Sequence, residues 1–149
     1  MYGVAICGGG GKTTIVTKYP NKFIDIDEFV WSDQNKCYHP AILRAVETNN
    51  NALLTEIYKE LLTSNKGLFI NLNKIVLFHH PINAEWLDIE CIASIKPNKK
   101  LFTENIASRN KELQEISRTS WENLEDALEY SSHAKFEEIV LDLFKTYFD

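Results

Sequence analysis

Four of the six glycines in this chain of 149 residues are consecutive, at Gly8, Gly9, Gly10 and Gly11, and Lys12, Thr13 and Thr14 follow at once. Before them runs Val4-Ala5-Ile6-Cys7, apolar and short enough for a buried strand. After them Ile15 and Val16 begin a helix that Pro20 must stop. Strand, glycine turn and helix in that order are the first unit of an alternating α/β chain. Two more apolar runs, residues 74–78 (Lys-Ile-Val-Leu-Phe) and 91–95 (Cys-Ile-Ala-Ser-Ile), have the continuous character of strands buried on both faces of a parallel sheet.

The glycine run suits an anion. Consecutive glycines let backbone N–H groups converge on one ligand, and a helix starting at Gly11 or Lys12 adds unpaired amides and the positive end of its dipole. Lys12 supplies a point charge for the β- and γ-phosphates of a nucleotide, and the Thr13 hydroxyl is placed to ligate Mg²⁺. Residues 23–29, Phe-Ile-Asp-Ile-Asp-Glu-Phe, read as a short strand ending in the pair Asp25 and Asp27. A helix over residues 12–18 advances roughly 10 Å, and a return strand over 21–25 covers a similar distance back. Both carboxylates therefore return to the mouth of the loop.

The stretch Gly8 to Thr14 resembles the Walker A motif of P-loop NTPases, with Ile6 where the pattern Gly-x-x-x-x-Gly-Lys-Thr has its first glycine. Together with the Asp-x-Asp element, residues 2–31 resemble the small P-loop kinases: shikimate kinase, polynucleotide 5′-kinase and the nucleoside monophosphate kinases. The resemblance implies that Gly8, Gly9, Gly10, Gly11, Lys12, Thr13 and Thr14 hold ATP. Thr13 and Asp25 would serve Mg²⁺, and Asp27 would position the acceptor hydroxyl. The run 74–78 ends in His79-His80-Pro81, where P-loop ATPases and GTPases carry a Walker B aspartate; its absence fits the kinase arrangement. Strand alternation allows at most one of the two histidines to face the site, and His79 is taken as a substrate contact.

Residues 32–66 are expected to form a helical acceptor-binding segment. A helix opens at His39-Pro40, carrying Arg44 as a candidate for an acceptor phosphate. Asn51 is a candidate N-cap for a second helix, whose face Leu54, Ile57, Tyr58, Leu61 and Leu62 reads as core. Residues 68–73 are ambiguous between helix and strand. Residues 98–120 correspond to a kinase lid, in which Arg109 and Arg118 would stabilise the charge of the transferring phosphoryl group. The plainer alternative pairs these arginines with Glu104, Glu112, Glu115 or Glu122 on a solvated surface. Only three arginines occur against thirteen lysines, and all three fall in these two segments. Residues 136–147 form an apolar helical stripe that should pack on the sheet, and no strand signal follows residue 95.

A 44% hydrophobic chain of this length can bury a core without staples, so one domain over residues 1–149 is expected. No apolar run reaches the 18 or so residues of a membrane span, and three cysteines without metal spacing suit a reducing compartment; a cytoplasmic protein with no membrane partner is the expectation. A net charge of −5 disfavours an extended nucleic-acid partner. The sequence thus points to a three-layer α/β P-loop kinase fold with about four parallel strands, a helical lid and a C-terminal helix. Its expected activity is transfer of the ATP γ-phosphoryl group to a nucleoside or nucleotide, with a polynucleotide 5′-hydroxyl kinase or an NTP-binding switch or hydrolase as alternatives.

Overall fold

In the computed structural model, which describes residues 1–70 and 72–148, five strands form one parallel sheet. They are β1 (Tyr2–Ile6), β2 (Phe23–Asp25), β3 (Ile75–Phe78), β4 (Glu90–Pro97) and β5 (Leu128–Tyr130), in the spatial order β2-β3-β1-β4-β5. The central strand β1 pairs with β3 through Gly3↔Val76 and Ala5↔Phe78, and with β4 through Val4↔Ala93 and Ile6↔Ile95. Gly3 is required by packing: a Cβ there would lie 2.1 Å from Cε2 of Phe78.

The helices are α1 (Lys12–Lys18), α2 (Ile26–Val30), α3 (His39–Glu47), α4 (Asn51–Ser64), α5 (Pro81–Leu87), α6 (Lys99–Ile106), α7 (Lys111–Asn123) and α8 (His133–Phe148). The connection from β1 to β2 runs one way along the sheet and the later ones run the other, so right-handed crossovers place their helices on opposite faces. Alternate residues follow: Val4, Ile6, Ile75 and Leu77 pack with Ile15, Val16, Phe136 and Val140 of α1 and α8. Ala5, Cys7, Val76 and Phe78 pack with Leu62, Ala84, Leu87, Phe102 and Ile106 of α4, α5 and α6. Val30, Ile42, Ile57 and Leu61 form a separate small core that holds α2, α3 and α4 together.

The sheet departs from the expected four strands by β5. That strand is three residues long, pairs only with β4, and exposes Leu128 and Glu129, so no apolar run announces it. The acidic segment also differs: β2 stops at Asp25, whose carboxylate accepts the Asp27 amide at 3.0 Å and caps α2, so Asp27 lies on a helix. The cap of α4 is Asn50 rather than Asn51, accepting from the Leu53 amide at 3.1 Å. Within the ambiguous stretch 68–73, Leu68 ends a short 3-10 helix (Lys66–Leu68) and residue 71 lies outside the described residues. Among the described residues no helix is long and apolar enough to cross a membrane.

Candidate functional site

The glycine loop sits at the carboxyl end of β1, beside β3 and β4, where open parallel sheets offer a crevice to ligands. Gly9 and Gly11 hold φ of 85° and 95°, a region costly for residues with a Cβ. A Cβ on Gly9 would also lie 2.7 Å from Cγ2 of Ile106. Where α2, α4, α5, α6 and α7 each begin with a side chain that accepts an amide, α1 begins at Gly11 with no side-chain cap. Its first turn, Lys12, Thr13 and Thr14, instead lines a cavity of about 310 Å³ together with Gly8, Gly9 and Gly11.

Lys12 is buried, and its ammonium donates to the carbonyls of Ile6 (3.1 Å) and Cys7 (3.2 Å). It also lies 3.4 Å from Nδ1 of His79. An ammonium can only donate, so this contact uses Nδ1 as acceptor and leaves Nε2–H to donate to Asp27 Oδ1 at 3.0 Å. The Tyr58 hydroxyl donates to the same oxygen at 2.9 Å. Burial pushes the Asp27 carboxyl upward, but His79, Lys12 and Tyr58 together outweigh it and hold the group well below the usual carboxylate range. Asp25, buried beside it, shifts the other way, raised by burial and then by the charge of Asp27.

Opposite these groups stand α6 and α7. Asn105 of α6 donates to the Gly9 carbonyl at 2.9 Å, and Arg109, between α6 and α7, donates from Nη1 to the buried Ser117 hydroxyl at 2.9 Å. A Cβ on Gly8 would be 3.7 Å from that guanidinium nitrogen, so Arg109 borders the loop. Asn105, Arg109, Asp25, Asp27, His79 and His133 complete the lining of the loop cavity. Arg118 is exposed, donates to Gln114 at 3.2 Å and lines neither this cavity nor its neighbour. Arg44 is likewise exposed, on the last turn of α3, outside both. Neither Arg109 nor Arg118 pairs with a glutamate among the described residues.

A second cavity of about 390 Å³ adjoins the first and shares Gly8, Asp27, His79 and Arg109 with it. Against the expectation that at most one of the two adjacent histidines would face the site, both line the second cavity; His79 alone of the two also lines the loop cavity, while His80 caps α5 by accepting the Ile82 amide at 3.1 Å. The Cys7 thiol is fully buried and burial pushes its pKa up to about 11, so it is a packed, unreactive group.

Tyr58, Asn105, Ser117 and His133 are the site groups that sequence patterning missed. Tyr58 hides in the apolar stripe of α4, and its one signal is that a tyrosine hydroxyl on a packed face needs a partner. The other three are single polar residues on helical stretches whose period carries no mark of them. No protein-family model matches this chain, and no curated protein sequence does.

Fit to a divalent cation can be judged from the donors. Among the described residues no group of three or more His, Cys, Asp or Glu side chains is assembled to hold a resident ion. Thr13 and Asp25 nevertheless offer hard oxygen donors in one cavity, where burial first and the charge of Asp27 second raise the Asp25 pKa. This suits Mg²⁺, which commonly takes one or two protein oxygens and completes its shell with phosphate and water.

Proposed function

We propose that this chain is a P-loop-type phosphotransferase that moves the γ-phosphoryl group of ATP to the hydroxyl of a small acceptor. The observation that carries the reading is the meeting of two cavities at Asp27: one lined by the glycine loop, Lys12, Thr13 and Asp25, the other large enough for a separate molecule.

In this reading the loop amides and Lys12 hold the triphosphate, and the positive φ of Gly9 and Gly11 turns the backbone toward it. Thr13 and Asp25 would hold Mg²⁺, which when bound would neutralise phosphate charge. Asp27 receives the acceptor hydroxyl. Because His79 and Tyr58 both donate to Oδ1, the carboxylate is fixed in place and stays ionised, so its work is orientation more than holding a proton. Arg109, aimed by Ser117 at the border of Gly8, offsets charge on the transferring group. The acceptor oxygen forms a bond to phosphorus as the bond to the β–γ bridging oxygen breaks; ADP leaves and the hydroxyl proton is released to solvent.

The test is transfer of label from γ-labelled Mg²⁺-ATP to a mixed panel of nucleosides, nucleotides and 5′-hydroxyl oligonucleotides, beside a control without acceptor. Acceptor-dependent labelling that disappears in Lys12→Ala and Asp27→Asn is the expected result. Release of free phosphate without acceptor, unchanged in Asp27→Asn, would sink the proposal in favour of a hydrolase or switch.

A further inference from the structure

An ammonium has three hydrogens to donate, and Lys12 has placed all three: on the carbonyls of Ile6 at 3.1 Å and Cys7 at 3.2 Å, and on Nδ1 of His79 at 3.4 Å. A phosphate oxygen entering the loop cavity therefore cannot be added to this set; it has to replace one member. The three are not equally easy to give up. Ile6 and Cys7 are fully buried, so a carbonyl released there finds no water. Nδ1 makes the longest of the three contacts, beyond the usual hydrogen-bond range, on a side chain that is 29% exposed and lines both cavities, so water can take the place of Lys12. The bond that yields to a triphosphate is the one to His79.

The same ring reaches the other way. Its Nε2–H donates to Asp27 Oδ1 at 3.0 Å, and Tyr58, which donates to the same oxygen at 2.9 Å, stands edge-on to the imidazole with centroids 6.1 Å apart. The His79 amide donates to the Asn83 side chain at 3.1 Å, which fixes the backbone beneath the ring. Lys12, His79 and Asp27 thus form one hydrogen-bonded chain from the glycine loop to the second cavity. The two nitrogens cannot exchange roles, because an ammonium requires an acceptor and a carboxylate requires a donor.

Resting on the phosphotransferase reading above, in which Lys12 holds the triphosphate, we infer that His79 is a positioning residue with two separable tasks: Nδ1 latches Lys12 in a resting place that ATP must open, and Nε2–H sets the carboxylate that receives the acceptor. The latch lowers the affinity of the loop for ATP by the free energy of the bond that ATP breaks. Removing that one bond should therefore tighten ATP binding, the opposite of what loss of a packing side chain does.

Two near-isosteric substitutions separate the tasks. His79→Gln carries an amide nitrogen at the reach of Nε2 and no acceptor in the place of Nδ1. His79→Asn carries an oxygen in the place of Nδ1 and no donor that reaches Asp27. The full chain and both variants, each with the parent's circular dichroism spectrum, are titrated with Mg²⁺-ATP by calorimetry without acceptor, then assayed for transfer of label from γ-labelled Mg²⁺-ATP to the panel of nucleosides and nucleotides. His79→Gln should bind ATP about fivefold more tightly than the parent, the worth of one weak hydrogen bond. His79→Asn should bind ATP as the parent does, and should raise the acceptor KM about tenfold, more than His79→Gln does. Unchanged or weaker ATP binding by His79→Gln overturns the latch, and an unchanged acceptor KM in His79→Asn overturns the second task. A parent that binds ATP but labels no acceptor removes the phosphotransferase reading and the second task with it, and the latch then stands or falls on the calorimetry. No ATP binding by the parent overturns both.

Discussion

Asp25 is 4% exposed, and burial followed by repulsion from Asp27 raises its pKa, whereas His79, Lys12 and Tyr58 hold the less buried Asp27 down. The two carboxylates therefore contribute to stability with opposite pH dependence. A carboxyl whose folded pKa is raised favours the fold fully below its unfolded value, near 4, and that contribution is lost as pH rises through the folded pKa. Ionised Asp25 thus works against folding at neutral pH. Asp25→Asn keeps an oxygen to accept the Asp27 amide, so it should melt at higher temperature than the parent at pH 7, with the gap closing on acidification, while phosphoryl transfer is lost. Asp27→Asn should do the reverse. Its depressed pKa contributes stability present above the unfolded value and lost as pH falls, so the variant should melt lower at pH 7 and converge with the parent in acid, relief of Asp25 offsetting part of the loss. Thermal melts of both variants across about pH 3–8 check the two signs.

At the level of elements, the glycine run and the helix after it were legible because they obey local rules: α1 spans the residues expected of it, and α3 starts at His39 with proline in its first turn. β5 and α2 were not, since each depends on something outside its own few residues. β5 exists by backbone pairing with β4, and α2 by one carboxylate cap that reads in sequence like the end of a strand. The candidate site was legible only as residues that come together. Lys12, Asp25, Asp27, His79 and Arg109 share a cavity, but nothing in the spacing of Arg109 and Arg118 tells which one faces it. The turn between α6 and α7 decides that, and kinetics can read it. Arg109→Ala should lower kcat for transfer by about 10²-fold, and Arg118→Ala should leave it unchanged; equal losses would mean that the lid closes on both. The loop has an element-level cost too. At Gly9, φ of 85° and the 2.7 Å approach to Ile106 make Gly9→Ala both strained and overpacked. It should destabilise by about 1–3 kcal/mol, seen as a lower denaturant midpoint with the m-value unchanged.

Across the whole molecule, the loop is fastened from both sides of the sheet by residues far away in sequence. Asn105 on α6 donates to the Gly9 carbonyl at 2.9 Å, and the buried Tyr130 hydroxyl on edge strand β5 donates to the next carbonyl, that of Gly10. The Tyr130 ring packs on Phe136 of α8 with centroids 4.9 Å apart, and a Cβ at Gly11 would be 3.3 Å from Phe136. The same strand that sequence patterning could not see therefore links the C-terminal helix to the shape of the glycine loop. If those two anchors act on one loop, their loss cannot be independent. Asn105→Ala and Tyr130→Phe should each lower stability by about 1 kcal/mol, the worth of one hydrogen bond. With Mg²⁺-ATP present they should couple, because whichever bond is left restrains a loop already loosened at its neighbour. Ligand binding to the folded state raises stability by RT ln(1 + [L]/Kd), so, on the proposed phosphotransferase reading, a rise in denaturant midpoint with ATP would report how well the loop holds it. That rise should shrink in each single variant, and the double variant should depart from the sum of the singles by more than about 0.5 kcal/mol. Additive losses with an undiminished ATP effect would show that the cradle keeps its shape without these anchors, and that the two hydrogen bonds serve only to dock β5 and α6.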